Sequence, residues 1–104
     1  MDRFLIVFRG ATIGESEGPR HEPVRWDAWF SELGAALLDR GALSHGSVEV
    51  PSRLLGPKTS SSALSGYCVI MASDFNEAVR LATSSPIFDE KGSVEIARLR
   101  DPAF

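Results

Sequence analysis

Ser65-Gly66-Tyr67-Cys68-Val69-Ile70-Met71-Ala72-Ser73-Asp74-Phe75-Asn76-Glu77-Ala78-Val79-Arg80-Leu81-Ala82-Thr83-Ser84-Ser85-Pro86 decides the fold class of this chain. Tyr67 to Ala72 is a short run of β-branched, aromatic and apolar residues, the pattern of a strand buried on both faces. Asp74 stands three residues before Glu77, the carboxylate form of a helix-starting capping pair. Phe75, Ala78, Val79 and Ala82 follow at helical spacing, and Pro86 ends the helix. A strand, a cap and a short amphipathic helix make one α+β unit.

Working back towards the start, Arg3 to Arg9 reads as a first strand. Phe4, Ile6 and Phe8 fall on one face, Leu5 and Val7 on the other. A loop rich in Gly, Glu and Pro spans Gly10 to Glu22. Pro23 opens a helix, because its missing N–H falls among donors that have no intrahelical partner anyway. The stripe Trp26, Trp29, Phe30, Leu33, Ala36, Leu37 and Leu38 predicts a helix as far as Arg40, with Gly41 as its left-handed terminator. Arg25, Asp27, Ser31, Glu32 and Asp39 take the wetter side. Gly34 then lies inside the helix, at a cost of about 1 kcal/mol relative to Ala, and close packing on the sheet is the expected reason for it. Ser47 to Val50 alternates like a short strand within an otherwise loop-like stretch, Ala42 to Ser65. Beyond Pro86, Gly92 marks a turn and Ser93 to Leu99 is the last strand.

The predicted order is strand, helix, strand, strand, helix, strand: an α+β chain with the ferredoxin-like β-α-β-β-α-β pattern, a four-stranded antiparallel sheet and both helices on one face. At 104 residues it is a single domain spanning 1–104. Two helices cover one face only, while the first and third strands are apolar on both. The exposed row of Leu5, Val7 and alternate residues of the third strand calls for a second copy, and a homodimer is expected.

Composition narrows the partners. A net charge of −3 and an apolar share of 43% describe an ordinary folded chain without the basic face that nucleic acid or anionic lipid requires. The apolar run Phe4 to Phe8 is too short for a signal peptide or a membrane span. Cys68 is the one cysteine, so no internal disulfide forms. A cytoplasmic protein with no nucleic-acid or membrane partner is expected.

Five segments in order carry a family resemblance: Trp26-Asp27-Ala28-Trp29-Phe30-Ser31-Glu32-Leu33-Gly34, Leu55-Gly56-Pro57-Lys58-Thr59, Leu64-Ser65-Gly66-Tyr67, Asp74-Phe75-Asn76-Glu77-Ala78 and Gly92-Ser93-Val94-Glu95-Ile96. Together they resemble the YCII-related domain, in the branch of the DGPF proteins, over nearly the whole chain. The resemblance implies a dimeric α/β barrel. Most members of that family have no established activity, and a few relatives catalyse dehydrochlorination or isomerisation of small ring-derived acids. In the enzyme-like branch an Asp near the end of the first strand pairs with a His in the first helix. Here the strand ends Phe8-Arg9-Gly10 and the helix offers Trp26 and Trp29, so both halves of that dyad are missing. Leu55-Gly56-Pro57-Lys58 stands where the DGPF tetrapeptide belongs. Whether the chain is an enzyme stays open.

His21 and His45 are the only side chains that titrate near neutral pH unaided, which makes them the acid–base candidates. Glu22 or Asp27 stands where it can orient His21. The plainer reading is two solvated loop histidines. Arg9 and Lys58 are candidates to converge on an anionic ligand, a small carboxylate, with Thr59 and the following serines adding hydroxyls; the plainer reading is an edge Arg and a surface Lys. Gly56-Pro57-Lys58-Thr59 lacks the glycine spacing of a phosphate loop, and Pro57 removes a donor that such a cradle needs. Trp26 and Trp29 fit the helix stripe as core; the alternative places Trp29 on the wall of a pocket between the first helix and the sheet. Cys68 reads as inert packing. No Cys/His cluster has metal-ligand spacing, and neither a metal nor a cofactor is expected. Three functions stand, in this order: a homodimer binding a small ligand in that pocket, a cofactor-independent lyase or isomerase using a histidine, and a purely structural dimerisation module.

Overall fold

The computed structural model describes residues 1–10, 22–44, 46–60 and 63–100. Four strands form the main sheet: β1 (Asp2–Arg9), β2 (Leu37–Leu43), β5 (Leu64–Ala72) and β6 (Ser93–Arg98). Their order is β2-β5-β1-β6, with every neighbouring pair antiparallel. Two helices, α1 (Pro23–Leu33) and α2 (Phe75–Thr83), connect β1 to β2 and β5 to β6. A second, two-stranded sheet pairs β3 (Val48–Glu49) with β4 (Lys58–Thr59) on the excursion between β2 and β5. The chain is thus α+β, and its main sheet is consistent with a ferredoxin-like arrangement.

Side-chain alternation sorts the sheet into two unlike faces. Phe4, Ile6 and Phe8 of β1 and Cys68, Ile70 and Ala72 of β5 are buried. Phe8 meets Trp26 of α1 edge to face at 4.8 Å, and Phe4 meets Phe75 of α2 at 5.0 Å. Both helices therefore cover this face. Val94 and Ile96 of β6, opposite Phe8 and Ile6 in the ladder, pack on the same core. The described chain measures 39 × 37 × 19 Å, the thickness of one helix layer on one sheet layer.

The N-terminal end of α1 follows from Pro23, as its sequence implies. Its C-terminal end does not. The helix stops at Leu33, because Gly34 takes φ 55° as the cap residue and its N–H donates to the Ser31 carbonyl. Nothing lies within 4 Å of where a Cβ would stand on Gly34, so close packing is not the reason for a glycine there. One 3-10 turn, Gly34–Ala36, leads directly into β2. Leu37 and Leu38 therefore sit on a strand, not on the helical stripe. The second strand of the main sheet is Leu37–Leu43, while the expected strand at Ser47 to Val50 contributes only Val48–Glu49 to the smaller sheet.

α2 begins as expected. The Asp74 carboxylate accepts from the Glu77 N–H at 2.8 Å, and the Glu77 side chain accepts from the Ser73 N–H at 2.6 Å. Its buried stripe is narrower than the spacing implied. Ala78 and Ala82 are enclosed, whereas Phe75 and Val79 are 43% and 51% exposed. Small residues let this helix lie close on the sheet, which pushes the larger pair to the margins.

Candidate functional site

Because both helices lie on one side, the opposite side of the sheet has no cover among the described residues. By alternation from β1 and β5 it presents Leu5, Val7, Val69 and Met71, each partly buried, and Tyr67, 42% exposed. Ala42 of β2 stands opposite Tyr67, and Ala97 of β6 stands opposite Leu5. The surface is an apolar row centred on β1 and β5, with one alanine from each of β2 and β6 beside it.

At the C-terminal end of β1 this row deepens into an apolar groove of about 250 Å³, lined by Val7, Ala42, Ser44, Leu64, Gly66 and Tyr67. Its shape comes from two irregularities in the ladder. The β1–β5 register shifts between Phe8 and Arg9, so that Arg9 pairs with Leu64 and skips Ser65. The β2–β5 register shifts between Asp39 and Ala42, around Gly41. Gly41 has φ 62°, and a Cβ there would overlap the Tyr67 carbonyl oxygen and stand 3.0 Å from the Tyr67 ring. A glycine lets β2 fold against β5 and form the groove wall.

Arg9 belongs to the same face as Val7 and stands beside Leu64 at the groove margin. Its Nε lies 3.4 Å from a carboxylate oxygen of Glu95, which is opposite Val7 on β6. The Glu95 side chain is 70% exposed, so this ion pair is held loosely. Apolar floor and a guanidinium at the margin together have the chemistry to take an amphipathic carboxylate.

The space between α1 and the sheet is occupied by protein. Phe8, Trp26, Trp29 and Phe30 interlock, with ring centroids 4.8–6.0 Å apart. Trp29 is 3% exposed and its indole N–H donates to the Ser84 hydroxyl at 3.1 Å. The Trp26 N–H donates to Glu90 at 2.8 Å. Trp29 is therefore a core residue and not a pocket wall, because both its rings and its one donor are already engaged. Lys58 and Thr59 lie exposed on β4, in the smaller sheet, paired with Glu49 and Val48. Neither residue is among the side chains lining the groove described above. His21 and His45 lie outside the described residues.

Cys68 is fully buried on the helix-covered face, and burial, with Asp39 adding a smaller repulsive effect, pushes its thiol up to about 12. That is the opposite of an activated thiolate. Among the described residues no group of three or more His, Cys, Asp or Glu is placed to hold a metal ion, and no helix is long and apolar enough to cross a membrane.

Sequence reasoning singled out Arg9 as a ligand candidate and Val7 as part of an exposed apolar row, and did not single out Ala42, Ser44, Leu64 or Gly66. The available signal was Leu64-Ser65-Gly66-Tyr67 extending the β5 alternation backwards. Set against family models and against curated proteins, the chain matches none.

Proposed function

We propose that the chain works as a homodimer of the dimeric α/β barrel type that its YCII-related resemblance implies, binding a small amphipathic carboxylate at the seam between the two sheets. The observation that carries this reading is the apolar row Leu5, Val7, Tyr67, Val69 and Met71 on the sheet face opposite both helices. A flat apolar surface of that breadth is unusual on a monomer, and a two-fold axis makes it self-complementary. Packing two such faces turns each open groove into an enclosed site, with Arg9 at its rim. The ligand pocket thereby moves from behind α1, where the aromatic cluster fills the space, to the open side of the sheet.

Sedimentation velocity on the parent protein and on Val7→Glu tests this. Val7 sits at the centre of the row and also lines the groove, so a carboxylate there introduces an unpaired charge into the seam. The parent is expected to sediment as a dimer and the variant as a monomer or an aggregate. A variant that dimerises like the parent, or a parent that sediments as a stable single subunit, refutes the proposal.

A further inference from the structure

The excursion between β2 and β5 forms a small arm. β3 and β4 pair with each other and pack mainly on each other, not on the main sheet or the helices. The base of the arm is pinned beside the open-face groove. There the Ser44 N–H donates to the Ser65 carbonyl at 2.9 Å, the Ser44 hydroxyl to the Leu64 carbonyl at 3.0 Å, and the Leu64 N–H to the Ser47 hydroxyl at 3.0 Å. The tip is a turn closed by its own hydrogen bonds. The Gly56 N–H donates to the Ser52 carbonyl at 3.1 Å, and the Leu55 N–H to the Ser52 hydroxyl at 3.0 Å. This turn holds two leucines out in water: Leu54 is 94% exposed and Leu55 72%. Val48 and Val50, nearer the base, are exposed as well.

Four large aliphatic side chains held in water on one short arm call for a cover. The arm does not find it by folding over the open face. The described chain is 19 Å thick, room for a helix layer on a sheet layer and no third layer, and it spreads 39 × 37 Å in the other two directions. A lipid surface is a poor match: Glu49 offsets one of Arg53 and Lys58, whereas recognition of anionic lipid takes a basic cluster. A second copy matches on area. The open face is four strands wide and β1 is eight residues long, a footprint of roughly 500 Å². A stable two-fold interface takes about 800 Å² from each partner. The face alone falls short of that, and the apolar arm is rooted at its margin.

We infer that the β3–β4 arm is an interaction surface for a second copy of this chain, each copy laying Leu54 and Leu55 against its partner and enlarging the seam. The inference rests on the dimer proposed above. A tip already shaped by its own hydrogen bonds loses little conformational freedom on docking, so burial of the leucines is spent on association and not on ordering the turn. Two-fold symmetry makes the contact twice, once from each arm.

The test is sedimentation velocity over a dilution series that reaches half-dissociation of the parent dimer. The parent is compared with Leu54→Ser/Leu55→Ser, Leu54→Ser alone, Val7→Glu and Val24→Ser. The fluorescence of Trp26 and Trp29 in the core checks that the leucine variants fold, and the single variant alters a side chain almost wholly in water. The double variant should raise the dissociation constant about tenfold or more, with a smaller rise for the single variant. Val24→Ser removes an exposed apolar side chain from the start of α1 and should change nothing. Unchanged dissociation constants for both leucine variants, or equal weakening by Val24→Ser, overturn the inference. So does binding of the parent to phosphatidylserine vesicles that the double variant abolishes without weakening the dimer, which assigns the tip to lipid. If Val7→Glu dimerises like the parent while the leucine variants dissociate more readily, the arm contact stands and the placement of the seam fails. A parent that sediments as a single subunit throughout overturns both.

Discussion

Replacing Gly41 by Ala isolates the geometry that builds the groove, and Gly34→Ala is its internal control. Both glycines have positive φ, 62° and 55°, so an L side chain carries a similar backbone penalty at each, about 1–2 kcal/mol. Their surroundings differ. Nothing lies within 4 Å of a Cβ on Gly34, whereas a Cβ on Gly41 overlaps the Tyr67 carbonyl oxygen and stands 2.8 Å from its carbonyl carbon. Tyr67 belongs to β5, which is paired on both sides, so its backbone cannot yield without disturbing the β1 ladder as well. β2 has to retreat instead, by a distance on the order of 1 Å, weakening the hydrogen bonds on either side of the shift. Two such bonds are together worth about 1–3 kcal/mol.

Gly34→Ala should therefore cost about 1–2 kcal/mol and Gly41→Ala about 2–5 kcal/mol, out of a total stability of about 5–15 kcal/mol for a domain of this size. Urea unfolding followed by the fluorescence of Trp26 and Trp29, both in the core, reads the difference. With a slope of about 2 kcal/mol per molar, the midpoint should fall by about 0.5–1 M for the first variant and about 1–2.5 M for the second. Protein concentration must be matched across the set, since the midpoint of the proposed dimer would depend on it. Coincident midpoints for the two variants would show that the close approach of β2 to Tyr67 contributes nothing.

Two further outcomes are expected. In a thermal-shift screen of small aromatic and aliphatic carboxylates, stabilisation of the parent should be lost in Arg9→Ala and kept in Lys58→Ala, because only Arg9 borders the groove; no responding carboxylate, or equal loss in both, counts against the groove. Cys68 should resist a thiol reagent at pH 8 until the chain is unfolded, since a shift from 9.0 to about 12 lowers its thiolate population about a thousandfold. The same shift sets a pH dependence. Unfolding frees a thiol that ionises near pH 9, so the stability from Cys68 is complete below that pH and declines towards pH 12, by at most about 1.4 kcal/mol per unit. Cys68→Ala should remove that part of the alkaline slope, and an identical slope in both proteins would show that the thiol is not buried as described.

Sequence patterns recovered the elements whose signals are local. β1 and β6 alternate, the β5 apolar run is continuous, and Asp74 caps α2 through a contact three residues away. The end of α1 escaped for a physical reason. Leu33 and Leu37 sit four apart and serve equally well as a helical pair or as the last residue of a helix and the first of a strand. A single glycine costs a helix only about 1 kcal/mol, too little to outvote that spacing. Gly41 was legible as a left-handed residue, but its purpose was not: it relieves a contact with Tyr67, which is distant in sequence. The groove was hidden in the same way. Its wall joins Ala42 and Ser44 to Leu64 and Gly66 through a pairing in which the Ser44 N–H donates to the Ser65 carbonyl at 2.9 Å. No local pattern announces a contact across some twenty residues, so that stretch, apart from Ser47 to Val50, read as loop.

The unequal filling of the two sheet faces bears on where a ligand can bind. On the helix side, admitting a molecule between α1 and the sheet means displacing Trp29 from contact with Phe8, Trp26 and Phe30 and breaking its bond to Ser84. Loss of a buried indole costs about 3–5 kcal/mol, an expense that a small ligand would have to offset before any net binding appeared. On the open side nothing has to move: Val7, Tyr67 and their neighbours are already in contact with water, and covering them is favourable at about 25 cal/mol per Å² of apolar area. A second copy and a ligand draw on this same free energy. The proposed second copy would extend over the whole row, whereas the proposed ligand would reach only the groove end beside Arg9, so occupation of the groove should strengthen dimerisation wherever the seam closes over it.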